Sequence, residues 1–169
     1  MKPRTLTSPA STFLISLTAM SLMVIVPTAC TKSPEAAREE AHKAMVALMN
    51  SYVDALKERN VEKVTGYFLR SPEFLFYAEG KRQSYDDIVA QVRELFPSLK
   101  SYESRWDTMY VSVLNTDAVA AVAPFHEVLT DKNGVETRLK GEVTWIAVRT
   151  ANEWKFSYAH ATYQPDTTK

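Results

Sequence analysis

The chain has 169 residues, 46% of them hydrophobic and 24% charged, and its 20 basic and 20 acidic residues balance to zero. That length supports one domain with a substantial core and is short for two. The basic residues are scattered among acids without a cluster, which excludes a nucleic-acid partner from the reading.

The N-terminus departs from the rest of the chain. Lys2 and Arg4 precede an apolar run from Phe13 to Val26, shorter than a membrane span needs and right for the core of a signal peptide. Cys30 follows that run and is the single cysteine, so no intrachain disulfide supports the fold. Val26-Pro27-Thr28-Ala29-Cys30 resembles the lipobox of bacterial lipoproteins, with Pro27 in a position that usually holds an aliphatic residue. The resemblance implies a signal peptide over residues 1–30 and lipidation of Cys30 as the first mature residue. It also implies a membrane-anchored protein of the cell envelope, at the outer membrane if the host is diderm, because Thr31 rather than Asp follows the cysteine. The alternatives are an ordinary cleaved signal, giving a periplasmic or secreted protein, and an uncleaved anchor. Without residues 1–30 the net charge is −2.

Residues 31–35 form a short tether that runs into a helix start, Ser33-Pro34-Glu35, with a capping side chain, a proline at the first position and an acid at the positive dipole end. The helix runs to about Glu58, with Met45, Leu48, Met49, Tyr52, Ala55 and Leu56 forming one apolar stripe. His42 lies at the end of that stripe as a rim residue. Asn60 stops this helix and caps a second, Val61 to Leu69, ended by Ser71-Pro72. Phe74 to Tyr77 reads as a strand, and Glu79-Gly80 turns into a short return at Lys81-Arg82. Ser84-Tyr85-Asp86-Asp87 caps a third helix through Ile88, Val92 and Leu95 that stops before Pro97.

Long strands follow. Tyr102 to Leu114 alternates, Ala118 to Thr130 returns, Asp131-Lys132-Asn133-Gly134 makes a hairpin turn, Val135 to Thr150 follows, and Trp154 to Tyr163 closes the sheet. On the closing strand, period-two reading puts Trp154, Phe156, Tyr158, His160 and Thr162 on one face.

Three features in this order carry a family resemblance. Glu58-Arg59-Asn60-Val61 with Val64 and Tyr67-Phe68 is similar to a helix-turn-helix, although Asn60 replaces a more usual Asp. Tyr77-Ala78-Glu79-Gly80 with Ser84 and Ile88 is similar to a hairpin and third helix, and Trp154-Lys155-Phe156 with Tyr158, His160 and Thr162 to a closing strand. Together they resemble the SnoaL-like branch, DUF4440 type, of the NTF2-like fold over residues 36–164, leaving 165–169 as a tail. The resemblance implies an α+β cone in which three N-terminal helices pack on a curved antiparallel sheet, with a pocket at the open end and frequent homodimers. Members include cyclases, isomerases, dehydratases and epoxide hydrolases beside non-catalytic binding modules, so fold alone does not name a reaction.

The expected function is to bind a small apolar or aromatic molecule in the cone. Two alternatives stand beside it: a cofactor-free isomerase, cyclase or hydrolase, and a dimerisation module whose cone is filled by side chains. The ligand-binding candidates are Tyr52, Tyr67, Trp106, Tyr110, His126, Tyr158 and His160, and His160 is also the catalytic candidate, because a neutral imidazole can act as acid or base near pH 7. His126 shares a face with Ala118, Ala120 and Val122, and Trp106 is expected on the same face as Tyr110. Trp145 is a possible dimer contact. Arg105-Trp106-Asp107 resembles part of the Asp-Arg-Asp arrangement of limonene-1,2-epoxide hydrolase, with Glu142 as the available second carboxylate; the plain alternative is a surface ion pair. His42, His126 and His160 lack ligand spacing, and no Gly-rich phosphate loop occurs, so neither a metal nor a cofactor is expected.

Overall fold

The computed structural model describes residues 33–151 and 153–167. The apolar run, Cys30 and the start of the tether lie outside the described residues.

Helix α1 spans Pro34–Glu58. Ser33 Oγ accepts from Ala36 N at 3.2 Å, and the helix ends where Arg59 turns left-handed at φ 52° and gives its N–H to Ala55 and Leu56. Its buried stripe is Ala41, Met45, Leu48, Met49, Val53, Ala55 and Leu56, close to the predicted one. Tyr52 is only partly buried and His42 is exposed. Asn60 Oδ1 accepts from Lys63 N at 2.9 Å and starts α2, Val61–Gly66, which ends earlier than predicted. Strands β1 (Leu75–Ala78) and β2 (Lys81–Gln83) form the small hairpin. Helix α3, Tyr85–Ser98, opens on a capping box between Ser84 and Asp87. It runs through Pro97 in its last turn, where a missing N–H forfeits a single bond at the helix end.

Five strands complete the chain: β3 (Leu99–Trp106), β4 (Tyr110–Asn115), β5 (Ala118–Asp131), β6 (Glu136–Thr150) and β7 (Glu153–Pro165). Sheet order is β2-β1-β7-β6-β5-β3, with β4 also paired to β5. The predicted strand Tyr102 to Leu114 is therefore two strands, which pair with opposite halves of β5: Trp106 with Phe125 and Tyr110 with Val122. The sheet is mixed, because β1 runs parallel to β7; the chain between them is long enough for the crossover that parallel pairing requires.

The core lies between α1 and the sheet face made by Val119, Ala121, Ala123 and Phe125 of β5, Val143, Trp145 and Ala147 of β6, and Phe156, Ala159 and Ala161 of β7. Rings from four elements and the segment after α2 meet in the middle of the cone. Trp145 lies 4.2 Å from Phe156, 5.4 Å from Tyr52 and 6.0 Å from both Phe68 and Phe76, centroid to centroid.

A bulge in β7 decides which side chains reach this core. Tyr158 pairs with Ile146 and Phe156 with Ala147, so Ser157 is an extra residue without a partner. Its hydroxyl donates to Ile146 O at 3.2 Å. Phe156 points inward before the bulge, and Ala159 and Ala161 point inward after it. Tyr158, His160 and Thr162 turn to the opposite, outer face. Trp145, read as a possible dimer contact, is instead core, only 2% exposed.

Candidate functional site

Among the described residues, the inner face carries one buried carboxyl group. On β5 the inward residues are the odd-numbered ones, and after Phe125 the next is Glu127, 8% exposed. Its β3 partner is Ser104, 4% exposed. Tyr102 and Trp106 flank Ser104 on the same face of β3.

Burial pushes the Glu127 carboxyl up to about 7, against a hydrogen bond from Tyr102 that holds it down. Tyr102 bonds this carboxyl, and Tyr52 and Tyr163 lie within reach of its charge. Burial raises Tyr52, Tyr102 and Tyr163 well above the ordinary tyrosine range, and the nearby Glu127 adds to the shift in each. All three are therefore neutral donors at physiological pH, facing a carboxyl that can hold or release its proton there.

Ser104 Oγ and Trp145 Nε1 are buried without a hydrogen-bond partner. Trp145 sits within the ring cluster, but Ser104 also lines a cavity of about 400 Å³ between α1 and β3. Val53, Trp106 and Met109 give that cavity apolar walls, and Asn50, Asp54 and Lys57 line it from the helix. Trp106 is fixed there by its indole N–H, which donates to Met49 O at 3.4 Å, and by an edge contact with Phe125 at 6.3 Å.

The predicted site residues separate into two groups. Tyr52, Tyr67 and Trp106 belong to the inner side: Tyr52 meets Tyr67 edge-on at 6.1 Å. His126, Tyr158, His160 and Tyr110 belong to the outer face. Tyr110 is 64% exposed and does not share the face of Trp106, because the segment between β3 and β4 resets the alternation. His160 is exposed beside Thr144 and Tyr77 on the neighbouring strands. A base there would have no apolar pocket around it.

His126 does face a groove, on the outer side. Its Nδ1 lies 3.0 Å from Asp166 Oδ2 and its Nε2 lies 3.2 Å from Asp107 Oδ2, an arrangement in which only the imidazolium donates to both carboxylates at once. Lys140 Nζ reaches Asp166 at 3.5 Å. Arg105 and Asp107 pair at 2.8 Å with side chains 67% and 39% exposed, which makes them the surface ion pair of the plain alternative. Glu142 is exposed on the outer face and supplies no inward carboxylate. Among the described residues no group of three or more His, Cys, Asp or Glu is placed to hold a metal.

The sequence conceals Glu127 because both faces of β5 look apolar, and the small residues beside His126 point to that face as the one with room for a pocket. The available signal was Phe125: the largest apolar residue of the strand marks the buried parity, and Glu127 follows it by two.

The comparisons agree with this architecture. Among solved structures, the chain is similar to a hexachlorocyclohexane dehydrochlorinase from Novosphingobium barchaimii, with 12% identity, 80% of this chain and 96% of that one covered, and a TM-score of 0.64. An NTF2-like superfamily protein from Salmonella enterica matches with 15% identity, 79% and 95% covered, and a TM-score of 0.64. A conserved protein from Planctomyces limnophilus matches with 11% identity, 76% and 99% covered, and a TM-score of 0.65. At these identities the likeness shows the fold alone. No curated protein matches the chain. The model of the SnoaL-like domain matches residues 37–160, most of the chain, and the protein belongs to that family.

Proposed function

We propose that the chain binds a small, largely apolar molecule bearing a hydroxyl or carbonyl oxygen, held in the cleft between α1 and β3 with its oxygen at Ser104 and Glu127. The observation that carries this is the pairing of a buried carboxyl with a buried, unpartnered hydroxyl beside a cavity of about 400 Å³. A buried hydroxyl without a partner is costly and uncommon, and a ligand oxygen would satisfy Ser104 Oγ. The cavity's size fits a small-molecule site, with apolar walls from Val53, Trp106 and Met109 beside polar and charged side chains from α1 and β3.

The enzyme reading has one observation in its favour. A carboxyl that titrates near 7 in an apolar setting is suited to take or give a proton at neutral pH. In that reading Glu127 replaces His160 as the base, and Tyr102, Tyr52 and Tyr163 stabilise developing negative charge on an oxygen. The product of such a site would be an isomerised or eliminated substrate. We also propose export and anchoring through Cys30, on the N-terminal sequence pattern, and a homodimer through the outer sheet face, where Ala120, Val122, Ile146 and Tyr158 are half-covered in the single chain.

Native mass spectrometry of the protein purified gently from its own host tests the binding reading. A retained mass of a few hundred daltons, lost in Ser104→Ala and Glu127→Gln, is the expected result. A chain without adduct after incubation with a pool of apolar metabolites overturns it. Applied to the same pool, product analysis with wild type and Glu127→Gln separates a binder from an enzyme.

A further inference from the structure

We infer that the domain rests on a phospholipid bilayer through one end, formed by the first turns of α1, the β4–β5 hairpin and the β6–β7 turn, so that the Glu127 site faces away from the membrane. The inference depends on the proposed N-terminal anchoring, and its test separates the two.

The chain leaves little freedom for any other arrangement. Helix α1 begins at Pro34 and is capped by Ser33, and four residue steps from Cys30 span at most about 14 Å. Whatever holds Cys30 at a bilayer therefore holds the start of α1 there too. That start is fixed to the sheet. Arg38 Nη2 donates to Val113 O at 3.1 Å, and Ser33, Glu35, Ala36 and Arg38 line one cleft with Val111, Ser112 and Val113.

The end so placed carries groups suited to an interface. Leu114, beside Val113 at the hairpin tip, is 54% exposed. Asp117 joins the hairpin to the neighbouring turn, accepting from Arg149 N at 2.9 Å and pairing with Arg149 Nε at 3.5 Å. The Arg149 guanidinium lies 5.1 Å from the centroid of Trp154. An aliphatic residue able to dip into the acyl boundary, with Arg and Trp behind it at headgroup level, matches the chemistry of the membrane interface.

The opposite end, where β5 turns into β6, also exposes an apolar residue: Val135 is 62% exposed. The tether decides between the two ends. Glu127 lies nine residues along β5 from Ala118 at the membrane end, up to about 30 Å of strand, so its cleft remains open to solvent while the chain is anchored.

The test uses the full-length chain in membranes of its host and in phosphatidylethanolamine–phosphatidylglycerol vesicles containing a spin-labelled lipid. Leu114→Cys and Lys132→Cys chains are each labelled with an environment-sensitive thiol dye; an acylated Cys30 does not react. The dye at position 114 is expected to shift to the blue and to be quenched about threefold more by the spin label than the dye at position 132, as interfacial burial requires. A wild-type chain that takes up one dye and leaves the membrane without detergent overturns the anchoring and the orientation together. A retained chain whose two positions are quenched alike keeps the anchoring and overturns the orientation. A blue shift at position 114 that persists without lipid in the soluble Cys30→Ala background assigns that end to a protein contact and overturns the inference.

Discussion

Glu127 gives the protein a pH dependence of stability whose sign follows from burial. Its carboxyl titrates at about 7 in the folded chain against an ordinary value of 4.5. Between those values the unfolded chain has released the proton and the folded chain still holds it, so raising the pH favours unfolding. This contribution is complete below the lower value, falls through the window and is lost above the upper one. The full difference is roughly 3 kcal/mol. Urea unfolding of wild type and Glu127→Gln at pH 5 and pH 8 isolates it: the variant should gain relative stability between the two, and equal differences at both would refute the assignment. Ser104 makes a separate case. Its hydroxyl is buried without a partner, a situation that costs about 1–3 kcal/mol. Ser104→Ala should leave stability unchanged or raised by about 1 kcal/mol, while ligand retention in native mass spectrometry falls. Loss of both together would make Ser104 a packing residue.

At the scale of elements, two local features set which side chains meet. Gly141 stands between Phe125 and Tyr163 across three strands, and their rings approach over it to 5.2 Å. A Cβ at this position would overlap Thr162 O and press on Phe125 Cζ at 2.8 Å. Because one obstacle is backbone, the strands themselves must shift, so Gly141→Ala should cost at least about 1–3 kcal/mol, measurable as a lower urea midpoint. The Ser157 bulge acts through parity. Deleting Ser157 leaves Phe156 opposite Ala147 and Tyr158 opposite Ile146 in a regular ladder, so Ala159 and Ala161 stay inward. An alanine inserted between Tyr158 and Ala159 instead turns His160 and Thr162 inward, placing polar groups where alanines fit. The insertion should abolish cooperative urea unfolding, whereas the Ser157 deletion, which keeps the facing of every core residue, should retain it. The same features explain what the sequence reveals. The capping residues Ser33, Asn60 and Ser84 act within three positions of themselves, so helix starts were readable, as was the Asn133-Gly134 turn. The bulge has no such local mark: Trp154-Lys155-Phe156-Ser157-Tyr158 alternates smoothly in polarity while the backbone inserts a residue. The break between Trp106 and Tyr110 is equally silent, since Asp107-Thr108-Met109 continues the strand pattern that tertiary pairing interrupts. His160 and Tyr110 were therefore expected inside, and Glu127 was missed.

The whole molecule separates a scaffold from a site, and one substitution pair tests that separation. Trp145 joins α1 through Tyr52, the segment after α2 through Phe68, β1 through Phe76 and β7 through Phe156. It is 2% exposed, and its indole N–H has no partner. Its value to the fold is therefore ring area rather than hydrogen bonding, and truncation opens the junction of four segments at once. Trp145→Ala should cost about 3–5 kcal/mol, shared by every element because all lose a neighbour, so unfolding should remain a single transition at a lower midpoint. Trp145→Phe keeps an aromatic ring and removes the unpartnered donor, and should recover most of that loss. The proposed ligand touches neither ring, since the cleft is lined from α1 and β3 rather than from β6. At low temperature, where Trp145→Phe is folded, it should retain ligand as wild type does, in contrast to Ser104→Ala. If Trp145→Phe instead loses the ligand with its stability intact, the binding site extends into the cone, and the indole N–H is a ligand donor.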